Sequence, residues 1–158
     1  MSSRYGSVAG TFNDKLLIGG GFDYPKYLQN CQCLDKSGNI SNSFDLTEKR
    51  SSASSVKITD TGLWIVGGTS DIFDPSKASN STEFIDSAKH SVSKGPDLPF
   101  TIHSHCMMKF SETEIYIIGG WQNGKISNKT WIVDPTNDFH ITEGNNFVFS
   151  EVNVQTQK

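Results

Sequence analysis

Two short clusters in this chain carry metal-ligating residue types, His103-Ser104-His105 and Cys31-Gln32-Cys33. On a strand, side chains two apart share a face, so each cluster would present two imidazoles or two sulfurs side by side, a spacing some zinc and copper sites use. A closed site needs four ligands, and no second cysteine or histidine pair, and no carboxylate at ligand spacing, accompanies either cluster. Both are therefore expected to be packing residues, with no metal ligand assigned. The third cysteine, Cys106, makes the number odd and too small for a disulfide framework, so at least one thiol stays free or pairs outside the chain. Nucleophilic catalysis would call for a Ser on a Gly-x-Ser-x-Gly elbow, or a Cys with a positioned His, and neither occurs. The glycine pairs are followed by no Lys-Ser or Lys-Thr and open no helix, so they are not phosphate loops. No catalytic residue and no cofactor is assigned, and His90 and His140 are expected to be exposed in outer strands.

The elements that would hold these residues recur. Leu16-Leu17-Ile18-Gly19-Gly20-Gly21, Leu63-Trp64-Ile65-Val66-Gly67-Gly68 and Ile115-Tyr116-Ile117-Ile118-Gly119-Gly120 each run an apolar strand into a glycine pair. A glycine pair lets a chain leave a buried strand through positive φ or lets another backbone pass close. The last glycines recur at intervals of 47 and 52 residues, a period that fits one four-stranded unit per repeat.

Turn residues divide each repeat into four strands. In the first they are expected over 7–12, 15–19, 31–35 and 38–44, with Asn13-Asp14 as the first turn and 22–30 as the long loop. The second has 52–58, 62–66, 82–86 and 90–94; its loop 69–81 is rich in Ser and Asn, includes Pro75, and is expected to hold no helix. The third has 103–110, 114–118, 130–134 and 138–142, and its run Ile115–Ile118 predicts a strand covered on both faces. The segment 144–158 resembles the approach to a fourth unit.

These features resemble the kelch repeat family over almost the whole chain, from Arg4 to Thr142. Arg4 and Arg50, His105, the three glycine pairs, and Asp35, Asp86 and Asp134 occupy places in the family pattern. Leu34, Ile85 and Val133 stand where the family often has Tyr, and Ile40 and Phe139 stand near its Trp. The resemblance implies an all-β fold: a partial kelch-type β-propeller of three four-stranded antiparallel blades, at roughly 4–46, 50–97 and 102–144, with 145–158 as the start of a further blade or a tail. It also implies a non-enzymatic protein-protein interaction scaffold, a fragment of a longer propeller. The alternatives on this fold are part of a galactose-oxidase-like copper enzyme, for whose two Tyr, two His and Cys no pattern assigns Tyr5, Tyr24, Tyr27 or Tyr116, and an extracellular carbohydrate- or protein-binding propeller.

Composition narrows the partners. A net charge of −3 with scattered Lys and Arg offers no basic stripe for nucleic acid. No run of 18 apolar residues is present and the start has no signal-peptide core, so no membrane span is expected and the chain as written is cytoplasmic, or extracellular if it is truncated at its start. The sequons at Asn39, Asn80 and Asn128 are of the number chance supplies in a chain rich in Asn, Ser and Thr. A protein partner is expected at the loops after the glycine pairs, which carry Phe22, Asp23, Tyr24 and Tyr27, then Asp71, Ile72 and Phe73, then Trp121 and Gln122. Three blades leave two apolar sheet faces without a neighbour, so the chain alone is expected to self-associate, and two copies end to end would supply six blades.

Overall fold

A strand that is apolar at every position has no polar face to give to water and is suited to cover on both sides. Leu63-Trp64-Ile65-Val66 meets that demand, since all four side chains are fully buried. The computed structural model describes residues 3–12, 15–89 and 91–145. Its strands in chain order begin with β1 (Val8–Phe12), β2 (Lys15–Gly19), β3 (Phe22–Asp23), β4 (Lys26–Tyr27), β5 (Asn30–Leu34) and β6 (Ile40–Asp45). The second repeat supplies β7 (Ser54–Lys57), β8 (Gly62–Val66), β9 (Thr82–Asp86) and β10 (Ser91–Lys94). The third supplies β11 (Ile102–His103), β12 (Cys106–Lys109), β13 (Ile115–Ile118), β14 (Trp121–Gln122), β15 (Lys125–Ile126), β16 (Thr130–Asp134) and β17 (His140–Glu143).

The fold is all-β, built of antiparallel sheets, none of them closed. Three are four-stranded meanders of the same order, β1-β2-β5-β6, β7-β8-β9-β10 and β12-β13-β16-β17. Their first strands lie side by side, β7 between β1 and β12. The first sheet packs on the second through Val8, Leu17, Cys31 and Cys33 against Leu63, Ile65 and Ile85, with Leu46 from the connection between them. The second packs on the third through Trp64 and Val66 against Ile115, Ile117 and Val133, with Leu98, Phe100 and Ile102 from the next connection. Alternate residues of β8 thus serve different cores, the period-2 geometry of a strand used on both sides.

Ile115–Ile118 differs from its expectation. Ile115 and Ile117 are buried, whereas Tyr116 and Ile118 are half-buried on a face that no further sheet covers among the described residues. Apolarity at every position is common to β8 and β13, and only the place of the strand among the sheets decides whether both faces are used.

Backbone hydrogen bonds repeat as faithfully as the sheets. The second glycine of each of the first two pairs donates across to the next repeat, Gly21 N–H to the Arg50 carbonyl at 2.6 Å and Gly68 N–H to that of Ile102 at 2.8 Å. Ser52 N–H donates to the Gly6 carbonyl and Ser104 N–H to that of Ser52, each at 2.7 Å. Gly67 and Gly68 have φ of 61° and 99°, and a Cβ on Gly67 would collide with the Ile102 carbonyl oxygen, so both properties expected of the pair are used at once. Ser52 and Ser104 take the left-handed φ of 56° in the place where Gly6 takes 64° in the first repeat. This turn breaks the strand expected over 103–110 into β11 and β12, and it delays the one expected from residue 52 until Ser54.

Other differences are local. The long loops of the first and third repeats contain short hairpins, β3–β4 and β14–β15. The loop of the second contains a single 3₁₀ turn, Pro75–Lys77, capped by Asp74, whose carboxylate accepts the Ser76 N–H at 2.9 Å. The strand expected over 138–142 starts at His140 because Asp138 and Phe139 turn through positive φ. The Asn13-Asp14 turn, His90 and the segment from residue 146 onward lie outside the described residues.

The aspartates Asp35, Asp86 and Asp134 share one job. Each accepts the backbone N–H two residues on, from Ser37, Ala88 and Thr136 respectively, and so shapes the turn into the last strand of its sheet. Side-chain hydrogen bonds from Asn39, Lys89 and Thr136 are the leading reason their carboxyls are held below the ordinary aspartate range.

Candidate functional site

The three loops that follow the glycine pairs share one root and differ in everything above it. Each root is closed by a backbone bond to the carbonyl of the second glycine: Leu28 N–H to Gly21 at 2.8 Å, Ser79 N–H to Gly68 at 2.9 Å and Ser127 N–H to Gly120 at 2.9 Å. The first glycine of each pair donates to the carbonyl of Asn30, Ser81 or Lys129, at or just before the start of the next sheet strand. Loops pinned in the same way at the same end of neighbouring sheets emerge on one side of the molecule.

There they touch. In the first loop Phe22 packs against Tyr27, with ring centroids 4.6 Å apart, and edge-on against Tyr24 at 6.1 Å. The Tyr27 hydroxyl accepts the Ile72 N–H at 2.8 Å and donates to an Asp71 carboxylate oxygen at 3.4 Å, which joins the first loop to the second. Asp71 in turn accepts the Phe73 N–H at 2.9 Å. Pro75 of the second loop comes near the third, where a Cβ placed on Gly124 would be 3.6 Å from the Pro75 Cβ. An open groove of about 640 Å³ is lined by residues 25–30 of the first loop together with Lys49 and Ser70.

The sequence-predicted residues divide into two groups on this face. Phe22, Tyr27, Asp71, Ile72 and Gln122 are half-buried among the loops and their neighbours, whereas Asp23, Tyr24 and Phe73 point outward, with Tyr24 86% and Phe73 89% exposed. Trp121 is between these groups: its ring lies parallel to that of His103, the residue opposite it in the β11–β14 pair, and is 40% exposed. Tyr5 and Ile126 are further exposed apolar residues that the sequence reading does not single out. Tyr5 reaches the face because it bridges to Phe22, a pairing that leaves no local signal. For Ile126 a signal exists: Asn123-Gly124, with φ of 49° and 75°, is the two-residue turn that makes Trp121–Ile126 a hairpin and brings those two residues opposite each other.

The metal-ligating residue types do not converge. His103 and His105 are both buried, but the turn at Ser104 places their segments in different sheets, so they do not share a strand face. Burial, followed by the neighbouring His103, pushes the His105 imidazole down to a pKa of about 4, so it is neutral near pH 7. His140 is exposed at the start of β17. Cys31 and Cys33 do share a face, and that face is the core against the second sheet. Burial, with Glu83 next, raises the Cys31 thiol to about 12, which keeps it protonated and unreactive. Cys106 is free and exposed at the start of β12. No described group of three or more His, Cys, Asp or Glu side chains is placed to hold a metal ion, and no described helix is long and apolar enough to cross a membrane.

Neither a scan against protein-family models nor a search of curated proteins returns a match to this chain.

Proposed function

We propose that this chain is a protein-interaction scaffold of kelch-type repeats, three blades of a propeller, which binds a protein partner through the loops beyond its glycine pairs and does no chemistry of its own. Support for the blade reading comes from the three meanders of equal order with adjacent first strands, and from backbone bonds that recur at matching positions. The observation that carries the binding reading is the outward placement of Tyr24 and Phe73 on loops whose roots and mutual contacts are fixed. Aromatic side chains lose little conformational freedom on binding for the area they bury, which suits them as anchors of an interface.

The test is a double variant, Tyr24→Ser with Phe73→Ser, compared with the unaltered chain in affinity capture and in thermal unfolding. Both rings face solvent, so stability should change by no more than about 0.5 kcal/mol. A discrete protein captured by the unaltered chain and lost with the double variant, at unchanged melting temperature, is the expected result. Equal capture by both proteins would remove these loops as the contact surface. Stoichiometric copper in the purified chain would replace the scaffold reading with an enzymatic one.

A further inference from the structure

Within this chain the same two kinds of sheet face meet twice. The front face of the second sheet, Leu63, Ile65 and Ile85 with Val92, packs on the first sheet, and the front face of the third, Ile115, Ile117 and Val133 with Ile141, packs on the second. The matching residues of the first sheet are Leu16, Ile18, Leu34 and Ile40, three half-buried and Ile40 44% exposed. The back faces behave in parallel. Leu17 of the first sheet and Trp64 of the second are buried in the two interfaces, whereas their counterpart Tyr116 is half-buried beside Ile118, Ile132, Met108 and Phe110, with the last two 54% and 71% exposed. Among the described residues the chain therefore has one free front and one free back, each of a kind already seen to pack on the other.

We infer that two copies of this chain associate head to tail, the front of the first sheet of each copy packing on the back of the third sheet of the other. The internal interfaces specify the register. Gly10 leaves space for Leu63, whose side chain would collide with a Cβ placed there. The position of Gly10 is taken by Val56 in the second sheet and Met108 in the third, and that of Leu63 by Leu16 in the first. Leu16 of one copy thus lies over Met108 of the other, and an unbranched thioether side chain adapts readily to such a knob. The central rows that meet, Thr11-Leu16-Leu34-Ile40 and Met108-Tyr116-Ile132-Thr142, carry no charge that would be buried without a partner. Because front and back differ, the contact is heterologous, and with two copies it forms twice around a two-fold axis.

Light scattering after size-exclusion chromatography of the full chain tests this, with a single species at twice the 17.4 kDa chain mass expected. Met108→Asp and Ile40→Asp place a charge on the back and the front respectively, at partly exposed positions where circular dichroism should confirm an unaltered fold. Each variant alone should run at the mass of one chain. An equimolar mixture should regain a two-chain species, since it restores one of the two contacts. A monodisperse single-chain species from the unaltered protein, a two-chain species that persists with either charge, or a mixture that stays separate would overturn the inference.

Discussion

Replacing Arg50 by Met tests the interaction that ties the loop roots to the core. The guanidinium is fully buried and donates through Nε to Glu83 at 2.5 Å, through Nη1 to the carbonyls of Gly67 at 2.6 Å and Ser81 at 3.2 Å, and through Nη2 to the Ser81 hydroxyl at 2.6 Å. Glu48 completes the pairing at 2.7 Å from Nη2. Glu83 is equally buried, and its other oxygen accepts the Thr47 N–H at 2.7 Å, in the connection from the first sheet to the second. Met fills much of the volume but leaves the Glu83 carboxylate in the core without the guanidinium that balances it. Breaking a buried pair from one side costs about 3–5 kcal/mol. At about 2–4 °C per kcal/mol for a chain of this size, the melting temperature should fall by roughly 10 °C. The third repeat shows how the same positions are filled without charge, by Ile102 in place of Arg50 and Trp131 in place of Glu83, with Trp131 stacked on Phe100 at 4.5 Å. An Arg50→Met, Glu83→Leu double variant should therefore recover most of the loss, because an apolar pair can replace a buried ion pair at little cost. Urea unfolding of the two single variants and the double variant gives the coupling directly. A single Arg50→Met cost below about 1 kcal/mol would refute the argument, as it would mean that the pair contributes no more than a surface salt bridge.

Two further predictions concern stability. His105, whose folded pKa of about 4 lies below the ordinary histidine value of 6.5, binds its proton more readily in the unfolded chain. Its contribution is therefore fully present above pH 6.5 and is lost as the pH falls toward 4, by about 2–3 kcal/mol over that window. Urea midpoints at about pH 7.5 and 4.5, on either side of the unfolded histidine's titration, measure the loss, and a His105→Phe variant with the same pH dependence would assign it to other groups. Gly67→Ala should cost more than Gly38→Ala: both have positive φ, but the new methyl meets the Ile102 carbonyl oxygen at the first site and nothing within 4 Å at the second. We expect about 1 kcal/mol at Gly38 from backbone conformation alone and at least twice that at Gly67, with equal costs counting against the close-approach account.

The parts of this fold that were legible in the sequence are those governed by neighbours along the chain. Apolar runs ending in glycine pairs located β2, β8 and β13, and the aspartates of the last turns marked where β5, β9 and β16 end. What was not legible depends on residues far apart. Ser52 and Ser104 give no sign of the left-handed turn they adopt, because the requirement comes from the neighbouring repeat, to which their backbone groups bond. The Arg50–Glu83 pair joins a residue of the connection between sheets to one of β9: the repeat pattern marks Arg50, but nothing local marks Glu83, 33 residues away, as its buried partner. On the candidate site, aromatic content marked the loops, but which rings tie the loops together and which face outward follows from contacts such as Tyr27 with Ile72.

The proposed recognition surface rests on a division between fixed roots and variable loops. The chain between the second glycine and the root-closing residue spans 22–27, 69–78 and 121–126, so the middle loop is the longest, and it is the one that carries Phe73 outward. Extra loop length adds little to the cost of closing a loop whose ends are already pinned. Length and composition can therefore change above the root with little effect on the sheets below. At the opposite end one turn of each repeat is held alike, by the carboxylate-to-backbone bond of Asp35, Asp86 or Asp134. Differences among the repeats thus fall above the roots, while the cross-repeat bonds of Gly21 and Gly68 keep the positions of the loops tied to the packing of the sheets.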